Sequence, residues 1–319
     1  MYFPDNIFQD ITIDNLVLDC GRRGGGLRLD NVLRAHLFHL YVVHYTTIGI
    51  AVSKGHEVHI ESGFLGEWIW GEDGPSVGTN LTGTAIEVDG QDHWITDVVI
   101  FSGLHGIVLN GGASVITNAH IYNGGTEALL ANRGAHAIKV TGSYFDNLGV
   151  VLVDPLAVAI TDSLFLGGVG IELRSSFPGA LCAGNLITGN QFIISPATTP
   201  GPWPSIVINE TAGKFLPPNS TRIEGNAYPP ATYGDYLGQT QDKRATAATL
   251  VLHQTSQSLW HFDFSKLLVF DVAPAVAFTI DAATGFPVGV VRARHGRNVT
   301  IETSEPFTGS ITVTARQAD

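Results

Sequence analysis

Gly106-Ile-Val-Leu-Asn110, Thr117-Asn-Ala-His-Ile-Tyr122, Ala128-Leu-Leu-Ala-Asn132 and Thr141-Gly-Ser-Tyr-Phe145 decide the fold, because two different short motifs return in the same order. Each pairs a few apolar residues with an Asn, Asp or Gly turn, and these residues tolerate positive φ. Working outward, the first motif recurs as Gly26-Leu-Arg-Leu-Asp30, Gly49-Ile-Ala-Val-Ser53, Ala85-Ile-Glu-Val-Asp89, Val150-Val-Leu-Val-Asp154 and Gly170-Ile-Glu-Leu-Arg174. Starts lie 23, 36, 21, 22, 22 and 20 residues apart. The second motif keeps phase with it as Ile60-Glu-Ser-Gly-Phe64, Thr96-Asp-Val-Val-Ile-Phe101, Thr161-Asp-Ser-Leu-Phe165 and Thr188-Gly-Asn-Gln-Phe192. Apolar-in, polar-out alternation makes each a short strand. A leucine-rich repeat has a similar period, but its leucine pattern is missing and aromatics recur instead. The sequence therefore predicts an all-β right-handed parallel β-helix of about ten coils.

The 36-residue interval carries an insertion from Gly66 to Gly83, which contains Trp68 and Trp70. Insertions into solenoids become loops on one face, often the binding face. The two indoles are candidate platforms for sugar rings. After Phe192 the period fades into a stretch with Pro196, Pro200, Pro202, Pro204, Pro217, Pro218, Pro229 and Pro230. From about Ala245 the pattern changes to strands such as Thr249-Leu-Val-Leu-His253, Asn298-Val-Thr-Ile-Glu302 and Ser310-Ile-Thr-Val-Thr314. We expect a solenoid over residues 1–228 and a small antiparallel β module over 229–319 that packs on it or caps it.

Composition narrows the function. The 319 residues have a mean hydropathy of +0.18 and only 14% charged side chains, enough apolar surface for a large core. The net charge of −12 includes no basic stripe, which excludes nucleic acid as the expected partner. A polyanionic substrate would need local Lys or Arg. No long apolar run suggests a membrane span. The start at Met1 reads as though the beginning of a longer protein had been trimmed, and an uncovered first coil would offer a strand edge for homo-oligomers. Cys20 and Cys182 are too far apart for a metal or redox motif and read as free thiols. Four Asn-x-Ser/Thr sequons, at Asn80, Asn209, Asn219 and Asn298, agree with a secreted protein.

Arg23-Gly-Gly-Gly-Leu27, Gly55-His-Glu57, Ser62-Gly-Phe-Leu-Gly66, Thr96-Asp-Val-Val-Ile-Phe101, Tyr144-Phe-Asp146, Asp154-Pro155 and Phe165-Leu-Gly167 resemble the plant QRT3-type polygalacturonase-like proteins. The resemblance runs from about Asp10 to the C-terminus. It implies a pectin-lyase-like fold, secretion to the cell wall, and pectin or a related uronan as substrate. Proteins of that family carry further N-terminal residues, including a signal sequence. The polygalacturonase motifs Asn-Thr-Asp, Asp-Asp and Gly-His-Gly are not found here, so the resemblance supplies a substrate class and no catalytic set.

Glycoside hydrolysis generally uses two carboxyl groups flanking one bond. The position ending each first-motif strand reads Asp30, Ser53, Asp89, Asn110, Asn132, Asp154, Arg174. Most of this ladder is turn chemistry. Asp89 stands out because Asp92 and His93 follow it, the Trp loop precedes it, and Lys54-Gly-His-Glu57 lies one coil earlier. The candidate catalytic residues are therefore Glu57, Asp89 and Asp92. Candidate substrate contacts are Lys54, His56, His93, Trp68, Trp70 and Arg133, the last a carboxylate clamp. Asp97 and Asp162 alternate with Asn118 and read as turn caps. The histidines lack metal-ligand spacing, so no metal or other cofactor is expected. A polygalacturonase-like hydrolase acting on a polysaccharide is the leading reading. A non-catalytic cell-wall carbohydrate binder, and a uronate lyase with Lys54 or His56 as base, are the alternatives.

Overall fold

The structure is a computed structural model, and it describes residues 8–69, 80–122, 124–167, 170–193, 205–217, 220–227, 245–285 and 287–317. Among these residues there is no α-helix, hence none long and apolar enough to cross a membrane. Three parallel sheets run along a solenoid. Sheet A has ten strands, which include Ile48–His56, Thr84–Gln91, His105–Leu109, Glu127–Ala131, Gly149–Val153 and Ile171–Arg174. Sheet B has nine, among them His59–Glu61 and Trp94–Thr96, and sheet C has eight, among them Val99–Phe101 and Tyr144–Asp146. Among the described residues, eight coils therefore contribute to all three sheets, and a ninth to two. The sequence suggested about ten.

Apolar residues stack inward in register. Ile50, Ile86, Ile107, Leu129, Val150 and Ile171 line sheet A, and Ile60, Ile95, Ile116, Val140 and Ile160 line sheet B. On sheet C the wall changes to aromatic rings, with Phe145, Phe165 and Phe192 stacked at 4.9 and 4.8 Å between centroids. All of these are buried in one core. Two corners repeat as single left-handed residues. Between sheets B and C they include Asp97, Asn118 and Asp162 (φ 53°, 52° and 51°). Asn118 donates to Asp97 at 3.1 Å. Between sheets A and B they run Asp10, Arg34, Glu57, Asp92, Ala113, Ala137 and Ala157, all near φ +55°. Short polar residues favour this conformation because a local side chain–backbone contact offsets its cost.

The C-terminal strands Ala247–Asp263, Ala275–Ala282, Gly289–His295 and Asn298–Arg316 form an antiparallel sheet with its own core around Trp260, Phe262, Ile301 and Phe307. Two of the strand motifs read from the sequence, at 298–302 and 310–314, lie on one long strand. Val269 and Phe270 join the solenoid core, and the Thr246 amide donates to Ile223 O at 2.9 Å. The boundary expected at 228/229 lies outside the described residues.

Candidate functional site

The interval from Lys54 to His93 is one stretch of sequence but two places in the fold. The insertion leaves sheet C at Gly66 and re-enters sheet A at Thr84, so its foot stands on the corner between C and A. Lys54, His56, Glu57 and Asp92 sit at the opposite edge of sheet A, on the corner between A and B. Strands of nine and eight residues run between the two edges.

At the A–B edge, Glu57 and Asp92 occupy the repeating left-handed corner on neighbouring coils. His56 Nε2 lies 2.9 Å from Asp92 Oδ2, and His56 Nδ1 lies 3.8 Å from Glu57 Oε1. These two acids therefore shape a turn, as Asp10 does two coils earlier, where Arg34 holds it at 2.8 Å. Lys54 is exposed on an irregularity of its strand, and Asp89 is exposed on the next strand. His93 does not reach the surface: it is 1% exposed and lies beneath Gly55. Desolvation lowers its pKa to about 4, against the opposing pull of the Asp89 main chain and the nearby carboxylates. Neither ring nitrogen has a hydrogen-bond partner of good geometry. The expectation that His93 touches substrate is thus corrected: it is an apolar-face histidine held neutral by the core.

At the C–A edge, Glu67 is buried and accepts hydrogen bonds from the amides of Thr82 and Gly83 at 3.0 and 2.8 Å. Ser102 Oγ meets both the amide and the carbonyl of Trp68, at 2.8 and 2.9 Å. This clasp closes the insertion at its base. The Arg22 guanidinium lies 3.2 Å from the centre of the Trp68 ring, so one indole face expected to carry a sugar is already covered. Trp70 lies outside the described residues.

Between the two edges, the outer face of sheet A forms the site. Val108 and Val151 are 6% and 5% exposed yet do not belong to the solenoid core. With the half-buried Leu130 between them in register, they make an apolar outward strip. Glu87 occupies the same column one coil earlier, and Glu172 one coil later than Val151. Asn110 donates to Glu87 at 2.9 Å and Asn132 donates to Asn110 at 2.7 Å, a polar ladder beside the strip. Glu87 and Asp89 share a strand two residues apart and point the same way, with Cα atoms about 6.6 Å apart. Burial pushes the Glu172 carboxyl up, but the bonds from Arg174 (2.7 and 3.1 Å) and Asn209 (2.7 Å) outweigh it and hold the group below the usual carboxylate range. Arg133 rests 4.6 Å from the Phe177 ring centre and 3.7 Å from Asp154. Asp154 itself lies one place beyond the ladder read from the sequence; Val153 pairs with Arg174 instead. On sheet C, burial raises the carboxyl of Asp146, which stands in register with Tyr122. No group of three or more metal ligands occurs among the described residues.

Sequence reasoning passed over Glu87, His105, Glu127 and Glu172. The signal was the 22-residue period itself, which stacks residue i on residue i+22 and so brings His105 onto Glu127.

No family model matches the chain. The chain is 30% identical to polygalacturonase QRT3 of Arabidopsis thaliana over 98% of its own length, and it spans 63% of that relative. Among solved structures it is similar to the tailspike protein gp49 from Pseudomonas phage LKA1, with a TM-score of 0.57 and 11% identity, covering 97% of this chain and 59% of that one. It is also similar to the Dettilon tailspike protein, with a TM-score of 0.51 and 12% identity, covering 92% and 69%. Those two likenesses speak to the parallel β-solenoid alone, whereas the sequence match extends from one end of the chain to the other. Over nearly its whole length the chain is similar to a QRT3-type polygalacturonase-like protein.

Proposed function

We propose that this protein cleaves an acidic polysaccharide, a pectin-like uronan, by hydrolysis in the groove over sheet A, with Glu87 and Asp89 as its carboxyl pair. The observation that carries the reading is the apolar outward strip of Val108, Leu130 and Val151, in which both valines are buried without belonging to the solenoid core and Leu130 is half-buried. Sugar rings present apolar C–H faces and equatorial hydroxyls, and this floor with its Asn110–Asn132 ladder offers both kinds of partner. Glu87 and Asp89 lie at one end of the floor, two residues apart on one strand, placed to act on one bond of a chain lying there. Lys54, Arg133 and Arg174 stand along the A–B edge of the groove. Lys54 offers the local positive charge that a uronan needs on a chain of net charge −12, while Arg174 is held by Glu172 and Arg133 lies 3.7 Å from Asp154. Glu57 and Asp92, engaged in the corner, serve the site by holding His56 and the edge in place. The name of the relative supports the substrate class, and the sequons together with that kinship support secretion.

The test is the product of polygalacturonate digestion. We expect new reducing ends without the ultraviolet absorbance of an unsaturated uronide. That absorbance would replace hydrolysis by elimination, and binding without new reducing ends would make the protein a carbohydrate binder.

A further inference from the structure

His105 and Glu127 open neighbouring strands of sheet A on the side of the groove opposite Lys54. His105 Nδ1 lies 2.8 Å from Glu127 Oε2 and 3.0 Å from Thr126 Oγ1. The Thr126 hydroxyl gives its hydrogen to Leu104 O at 2.8 Å, so towards the ring it only accepts. An ionised carboxylate also only accepts. Both neighbours of Nδ1 therefore require a proton there, so in the neutral ring the basic lone pair is on Nε2. No hydrogen bond falls on Nε2 among the described residues. Side-chain exposures of 25% for His105 and 17% for Glu127 leave the pair accessible from the groove and only partly hydrated.

Glu87 lies across the strip. Thr84 pairs with His105, and Glu87 is three residues further along its strand, in register with Val108. Three residues and one coil put the two Cα atoms about 11 Å apart.

We propose that His105 is a catalytic residue of the groove, accepting a proton from the attacking water, and that Glu127 is its positioning residue. This rests on the hydrolytic reading above and adds the base to it. Nε2 takes a proton from water as the water oxygen bonds to the anomeric carbon. The glycosidic C–O bond breaks, and the leaving oxygen receives the proton of the Glu87–Asp89 carboxyl pair. The imidazolium then returns its proton to solvent, and the carboxyl pair regains one. A water molecule is consumed and no oxidant or reductant is needed.

The experiment measures polygalacturonate hydrolysis by the full chain carrying His105→Ala or His105→Gln, with thermal melting as the check on folding. A general base contributes about 10²–10⁴-fold, so kcat falls by that factor with KM unchanged, and added imidazole restores part of the rate to His105→Ala. Glu127→Gln, which keeps an acceptor for Nδ1–H, retains more activity than Glu127→Leu. Wild-type activity in both His105 variants overturns the proposal and leaves the hydrolytic reading standing. So does a loss that imidazole does not restore, or one that tracks a raised KM or a lowered melting temperature. A wild-type protein that binds the polymer without hydrolysing it overturns both.

Discussion

Glu87→Gln is expected to lower the rate of uronan hydrolysis by about 10²–10⁴-fold while leaving binding of the polymer within a factor of a few. The amide has nearly the volume of the carboxyl and still offers an oxygen to Asn110, which donates to Glu87 at 2.9 Å, so the Asn110–Asn132 ladder survives. What is lost is the exchangeable proton. Asp89→Asn should fall in the same range, and the double variant should lose much less than the product of the two single losses, because two groups acting on one bond are not additive. Glu57→Gln and Asp92→Asn, by contrast, alter a corner and should act on stability more than on rate. Kinetics and polymer binding measured across these five variants decide the matter. Full activity in Glu87→Gln and Asp89→Asn with a large loss in Glu57→Gln would move the chemistry to the A–B corner.

The second large effect concerns pH. His93 has a pKa of about 4 in the folded chain because burial disfavours the imidazolium, against about 6.5 when exposed. Its folded value is depressed, so the unfolded chain binds more protons throughout the interval between the two. Stability from this residue is complete above about pH 6.5 and is lost as pH falls towards 4. The difference corresponds to about 3 kcal/mol. His93→Phe keeps an aromatic ring beneath Gly55 but cannot take up a proton. Chemical denaturation of both proteins between pH 7 and 4 should show the wild type losing about 3 kcal/mol more than the variant. Both carry the same carboxylates, so their common acid response cancels. Parallel curves would mean that His93 is protonated in the folded chain.

The fold was legible because its signal is periodic. Ile50, Ile86, Ile107 and Leu129 stack as their spacing suggested, and the Asp97, Asn118 and Asp162 corners take the left-handed conformation expected of turn caps. One column slipped. The strand Gly149–Val153 pairs irregularly with Glu127–Ala131, which shifts Asp154 out of the ladder and puts Val153 in its place. The site was less legible for a geometric reason. In a solenoid, residues adjacent in sequence diverge to different edges, while residues one period apart meet. The Trp68 insertion and Asp92 therefore lie on opposite sides of sheet A, and His105 meets Glu127. Glu87 escaped notice because Ile-Glu-Val reads as an ordinary half-exposed strand. The burial of Val108 and Val151 outside the solenoid core marks this face, and no sequence pattern announces it. Burial of His93 follows from the close approach of Gly55 above it, which no spacing of charged residues could reveal.

The central claim is that the polysaccharide lies over sheet A. Hydrogen–deuterium exchange of the full chain with and without an oligogalacturonide tests it most directly. The account predicts slowed exchange in the outer strands and edges of the groove, at 84–91, 105–110, 127–133 and 149–154, with sheets B and C unchanged. Protection confined to sheet B, sheet C or the C-terminal module, with these segments unaffected, would contradict it.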